Sequence, residues 1–103
     1  MSTSAALLWP LFHQHALVAV DGDAFDLTIH YTFYWKFGER LPCMVCAQHY
    51  YAAFSDIPFG LLVHDRESLF AWTVMIHNAI NRRLGKPNVS VEEAIVRWNP
   101  YTQ

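Results

Sequence analysis

Cys43 and Cys46 are the only cysteines in the chain, and they stand at C-x-x-C spacing within Leu41-Pro42-Cys43-Met44-Val45-Cys46-Ala47-Gln48-His49-Tyr50. A proline just ahead of Cys43 and a helix-compatible run after Cys46 predict that the pair opens a helix. There the unpaired amide N–H groups and the positive end of the helix dipole favour a thiolate, which makes Cys43 the better nucleophile. A disulfide across two intervening residues closes a very small loop and restrains the unfolded chain little, so a redox role is more natural for it than a structural one. The motif alone leaves two alternatives open, a half-site for zinc and two unconnected buried thiols. His49, three residues after Cys46 on the same helical face, suits a zinc ligand, a proton relay, a ring packed on a cofactor, or plain surface.

Three other places combine residue types that bind. Trp9 and His13 are four residues apart and so share a helical face; ordinary core packing and a satisfied, partly buried imidazole account for them without a ligand. His77, Asn78 and Asn81 form a polar stripe beside the apolar face of Leu69, Trp72, Thr73, Ile76, Ile80 and Leu84. Polar groups so near a core need partners, which a bound polar ligand or solvent would supply. Arg82, Arg83 and Lys86 make the one local cluster of cations, which suits a compact anion and equally suits a helix C-terminus.

Helical periodicity positions these groups. A first helix is expected from about Leu8 to Val20, with Pro10 in its first turn and Met1 to Ala6 fraying. Asp21-Gly22 reads as a turn and Asp23 as the cap of a second helix reaching Arg40, with Asp26 in its first turn. Phe25, Ile29, Phe33 and Phe37 recur every four residues as its core stripe, leaving Tyr31, Tyr34 and Trp35 for a subunit contact or a flat ligand. The third helix carries the cysteines and ends at Pro58-Phe59-Gly60. Asp65 or Ser68 caps a fourth that runs to Leu84 and stops at Gly85 with Pro87 beyond. Ser90 to Glu93 is a capping box for a short fifth helix through Trp98, closed by Asn99-Pro100. No strand alternation, phosphate loop or internal repeat interrupts the pattern. The expected fold is all-α, a single domain over residues 1–103 built as a four-helix bundle with a short fifth helix.

The bulk composition narrows the function. A chain of 103 residues forms one core, and with 53% hydrophobic and 16% charged residues it is not disordered. A net charge of −2 provides no basic field for nucleic acid. The apolar run from Ala5 to Val20 follows no Lys or Arg, is broken by Pro10, His13, Gln14 and His15, and falls short of the roughly 20 residues of a membrane span. An intracellular, cytoplasmic protein is therefore expected, where two cysteines are a working pair and not a disulfide framework.

Taken in order, these motifs resemble the Erv/ALR family of FAD-dependent sulfhydryl oxidases over nearly the whole chain, from Trp9 to Trp98. The family's W-x-x-x-H is similar to Trp9 and His13, its aromatic six residues before the redox pair to Phe37, and its [YL]-P-C-x-x-C to Leu41 through Cys46, with His49 three residues later. Its W-x-x-x-x-H-N-x-x-N and L-G-K-P are matched by Trp72, His77, Asn78, Asn81 and Leu84-Gly85-Lys86-Pro87, and its R-W by Arg97-Trp98. Many members carry a C-x16-C structural disulfide where this chain has Val74 and Val91, which keep an apolar contact between the last two helices. Shuttle cysteines are also missing. This pared-down pattern is similar to the short enzymes of large DNA viruses, poxviral and asfarviral ones among them, which act in the host cytoplasm or virion.

The resemblance implies a flavin-linked thiol oxidase with FAD at the mouth of the bundle. Cys43 would be attacked by a substrate thiolate, a second substrate thiol would resolve the mixed disulfide, and Cys46 would face the flavin C4a and pass on the electron pair. Molecular oxygen would reoxidise the flavin and leave hydrogen peroxide. Trp9, His13, His49, Trp72, His77 and Trp98 would be flat partners of the cofactor, His77, Asn78 and Asn81 polar ones, and Arg82, Lys86 and Arg97 would meet its pyrophosphate. Without a relay of its own the enzyme would draw electrons directly from a protein dithiol or a small C-x-x-C carrier, and family members commonly form homodimers through the first two helices. The main rival is a small zinc-binding helical interaction domain held by Cys43, Cys46, His49 and His77, an awkward set because three of the ligands crowd one helix. A thioredoxin-like enzyme would need a βαβ core, and a purely structural bundle would leave both cysteines replaceable.

Overall fold

The computed structural model describes residues 8–99. The fraying expected of residues 1–6 and the closing role of Pro100 lie outside the described residues. Within them the chain is all-helical, with α1 (Trp9–Leu17), α2 (Leu27–Phe37), α3 (Met44–Asp56), α4 (Phe59–Leu62), α5 (Arg66–Leu84) and α6 (Val91–Trp98). The all-α class is as expected, but there are six helices and not five. The extra one, α4, is a single turn where only a stop signal was read. It exists because Phe59 is buried against Phe54 and Trp72, which draws the chain into a turn after Pro58.

Caps explain the boundaries. Helix α2 starts later than expected because Asp26, and not Asp23, is its cap: Asp26 has extended backbone and its Oδ1 accepts the N–H groups of Thr28 and Ile29. Asp23 belongs instead to a short 3-10 turn, Gly22–Ala24, and a second such turn, Gly38–Arg40, ends the α-helical hydrogen bonding before Arg40. Asp65 caps α5 in a reciprocal box with Ser68, and Gly85 ends it with φ at 73°, a left-handed conformation that suits glycine. Ser90 and Glu93 form the same box at α6.

The late start of α2 also changes which of its faces is buried. Phe25 falls before the helix and Ile29 is 61% exposed, so the four-residue stripe is not one core face. The buried residues of α2 are His30, Tyr34 and Phe37. Tyr34, expected to lie off the core, is fully buried, whereas Tyr31 and Trp35 stay on the surface.

The longest helix, α5, is the hub against which α1, α3, α4 and α6 pack. Its Trp72, Leu69 and Ile76 meet Phe12 of α1, Tyr34 and Phe37 of α2 and Tyr50 of α3 in one aromatic core. The polar tips of those rings tie the helices together. Tyr34 donates to the Phe12 carbonyl at 2.8 Å, Tyr50 to the Tyr34 carbonyl, and the Trp72 indole to the Ile57 carbonyl at 3.0 Å. Burial pushes the Tyr34 and Tyr50 phenols up, so they remain donors. Val74 is buried and Val91 packs against the same core, where many relatives of the resembled family would carry a bridge.

Candidate functional site

Cys43 is the cap of α3. Its backbone is extended and its Sγ accepts the Cys46 N–H at 3.1 Å, so helix formation itself carries Cys46 one turn inward. The two residues are joined as a disulfide with Cα atoms 5.2 Å apart. Cys43 is exposed, together with Pro42 and Met44, whereas Cys46 is half-buried on the wall of a cavity. The bond therefore connects solvent to an interior chamber.

That cavity has a volume of about 720 Å³, inside the range of small-molecule sites. It opens where the start of α3 meets the C-terminal half of α5, the following loop and α6. Trp9, Cys46, His49, His77, Asn81, Lys86, Arg97 and Trp98 stand on its wall. The Trp9 ring stacks on His77 with centroids 3.7 Å apart and planes 11° from parallel, and Trp98 stacks on His13 at 4.0 Å. The Arg97 guanidinium lies 5.3 Å from the Trp98 ring. Burial, helped by the Arg97 and Lys86 charges, holds the His77 imidazole down at about 4, so it is neutral at ordinary pH.

Four residues expected at a cofactor lie off this wall. His13 is fully buried behind His77, with Nδ1 3.0 Å from the Thr73 hydroxyl and Nε2 2.8 Å from His77 Nδ1. Trp72 is fully buried and its N–H is already bonded to Ile57, so its face belongs to the core. Asn78 holds the loop: its Nδ2 donates to the Val89 carbonyl and its Oδ1 accepts the Val89 N–H, both at 2.8 Å. Arg82 is exposed and is not part of the wall. Asn81, which is on the wall, also donates to the Pro87 carbonyl at 3.3 Å. The chain itself thus supplies two partners to Asn78 and one to Asn81.

The wall also contains residues that sequence reasoning passed over, chiefly Leu41, Val45, Ile80, Leu84 and Val89, with Glu93 at the edge. Ile80, expected on the apolar face of α5, is buried in the core and also reaches the wall, whereas Leu84 of the same face is not buried. Leu84 is 54% exposed and Val45 56%, and each lies at a helix end where no partner helix covers it. Apolar residues crowding a helix terminus beside a C-x-x-C were the available signal.

The set suggested for zinc is not assembled. Both sulfurs are committed to a disulfide, His77 Nδ1 is bonded to His13, and among the described residues no group of three or more His, Cys, Asp or Glu is placed to hold a metal. Also among the described residues, no helix is long and apolar enough to cross a membrane.

Comparison with known proteins gives concordant matches. A model of the Erv1/Alr family matches residues 6–99. A Frog virus 3 (isolate Goorha) protein named "Putative FAD-linked sulfhydryl oxidase" is 40% identical over 55 residues, covering 53% of this chain and 36% of the relative. An Acanthamoeba polyphaga mimivirus protein named "Probable FAD-linked sulfhydryl oxidase" is 32% identical over 89 residues, covering 84% of this chain and 62% of the relative. The FAD-linked sulfhydryl oxidase of African swine fever virus (isolate Pig/Kenya/KEN-50/1950) is 32% identical over 66 residues, covering 64% and 48%. The chain thus spans between 36% and 62% of the length of these relatives. No solved structure gives a significant match.

Proposed function

Because the chain belongs to the Erv1/Alr family, we propose that it is an FAD-dependent sulfhydryl oxidase, which makes disulfides in protein dithiols and reduces molecular oxygen to hydrogen peroxide. The single observation that carries this reading is the disulfide with one exposed cysteine and the other on the wall of an aromatic, cation-edged cavity. The donor set suits a flavin dinucleotide. Trp9, His49, His77 and Trp98 offer flat rings, Asn81 a polar side chain, and Lys86 and Arg97 two cations for a pyrophosphate. His13, Trp72, Asn78 and Arg82 have no such place on the wall.

The chemistry of the chain's own residues follows from the disulfide. A substrate thiolate attacks Cys43 Sγ, the S–S bond breaks, and Cys46 leaves as a thiolate on the cavity side. A second substrate thiol attacks the mixed disulfide and releases Cys43. A flavin held by Trp9, His77, Trp98, Lys86 and Arg97 would supply a two-electron acceptor for the reduced pair, with oxygen as the final acceptor. In balance, two thiols and one oxygen molecule give one disulfide and one hydrogen peroxide.

The electron donor is a protein dithiol or a small C-x-x-C carrier, which would reach the pair at its exposed member, Cys43. By analogy with its viral relatives the protein works inside a cell, in host cytoplasm or a virion. We also take it to be a homodimer through α1 and α2, whose Leu11, Ile29, Tyr31 and Trp35 leave apolar surface exposed.

The visible absorbance spectrum tests the reading. Flavin bands should bleach on addition of a dithiol under nitrogen and return in air as peroxide forms. The Cys46→Ser variant should stop turnover and hold an oxidised partner on Cys43 as a mixed disulfide. A colourless protein that takes up no added FAD would overturn the proposal.

A further inference from the structure

Thr73 is fully buried in α5, is not itself a residue of the cavity wall, and carries one proton on its hydroxyl. That proton is committed, because the hydroxyl donates to the Phe70 carbonyl at 2.6 Å. Toward His13 Nδ1, 3.0 Å away, Thr73 Oγ1 is therefore an acceptor. His13 must hold its proton on Nδ1, which leaves Nε2 bare. Nε2 lies 2.8 Å from His77 Nδ1, and two bare nitrogens would repel, so His77 carries its proton on Nδ1 as well.

The consequence is a bare Nε2 on His77. Among the described residues every fully enclosed side-chain nitrogen or oxygen has a partner and His77 Nε2 has no hydrogen-bond partner, so it opens to the cavity that His77 lines. The stack of Trp9 on His77 at 3.7 Å prevents the ring from turning away. Burial keeps both imidazoles neutral, with the His13 ring held far below its ordinary value of 6.5.

We propose that Thr73 is a positioning residue that fixes the tautomers of His13 and His77, and so gives the cavity wall a hydrogen-bond acceptor for an N–H or O–H group of the bound nucleotide. The identity of that nucleotide rests on the flavin reading; the tautomers do not. An adenine amino group, a flavin ring N–H and a ribityl hydroxyl share the required donor chemistry, whereas a phosphate oxygen would be repelled there.

Two-bond ¹H–¹⁵N spectra of the ¹⁵N-labelled full chain near neutral pH read the tautomers directly. His13 and His77 are both expected as Nδ1–H. Thr73→Val removes the acceptor at nearly constant size, and an unpartnered buried N–H is costly, so the pair should turn over and show His77 as Nε2–H. FAD binding, measured by fluorescence titration, should weaken about fivefold, the equivalent of one ordinary hydrogen bond. Thr73→Ser should restore both readings. His77 as Nε2–H in the unmodified protein, or unchanged tautomers in Thr73→Val, would overturn the proposal. Should Thr73→Val fail to fold, the spectra of the unmodified and Thr73→Ser proteins decide alone. A protein with the expected tautomers that binds no FAD would sink the flavin reading, whereas one that binds FAD with His77 protonated on Nε2 would sink this inference only.

Discussion

His13 and His77 show at the residue scale how burial turns an ordinary titratable group into a fixed one. Both imidazoles stay neutral in the fold, as does His15, which stacks on Phe33 and pairs with His30 at 3.0 Å. Desolvation lowers His15 to about 4, with the neighbouring His30 acting in the same direction, and His77 is also at about 4. In the unfolded chain each returns to about 6.5. Between these values the unfolded chain binds protons that the fold refuses, so stability is full above about pH 6.5 and is lost as pH falls toward 4. Each refused proton lowers stability by about 1.4 kcal/mol per pH unit. Urea unfolding midpoints should therefore be level from pH 8 to 7 and drop steeply between pH 6 and 5. An unchanged midpoint over that lower interval would show that the rings are already charged in the fold. The role of Cys43 as outer sulfur was legible from its position before a helix, since a cap residue is set by its nearest neighbours. The fate of His13 was not, because its partners Thr73 and His77 come from 60 and 64 residues away.

At the scale of elements, the loop between α5 and α6 is held by two asparagines of α5, Asn81 on Pro87 and, with the shorter bonds, Asn78 on Val89. Asn78 closes two hydrogen bonds on Val89, and Val89 with Lys86 and Pro87 forms one side of the cavity. Asn78→Ala should cost about 1–3 kcal/mol through the two backbone groups it strands. It should also weaken FAD binding without changing the spectrum of flavin that does bind, because the residue supports the wall and is not part of it. Paired urea and FAD titrations check both halves; full affinity in a destabilised variant would mean that the loop keeps its shape unaided. The polar stripe of α5 was visible in the sequence, but whether an asparagine meets a ligand or a loop depends on where the chain goes after Gly85.

For the whole molecule, α5 serves both as the hub of the core and as the back wall of the site, while apolar residues of α1 and α2 stay exposed among the described residues. Leu11 is 49% exposed and Ile29 61%, which is the basis for the proposed dimer. Sedimentation should give twice the chain mass, and Ile29→Lys should shift the protein toward monomer with little change in helix content. A monomeric parent protein at micromolar concentration would dismiss this interface.

Local chemistry written in the chain decides where α5 and α6 begin and end, since the boxes at Asp65–Ser68 and Ser90–Glu93 and the stop at Gly85 involve neighbours a few residues apart. It likewise places two cysteines on the first turn of a helix. Periodicity says which residues share a face, but not what will cover that face. Only packing sends Tyr34 into the core, leaves Ile29 and Leu84 uncovered, sets His13 behind His77, and gathers a cavity wall from segments as distant as Trp9, Cys46, Asn81 and Trp98. Burial depends on every element that arrives at a surface, and those arrivals are long-range events that no short window of sequence contains.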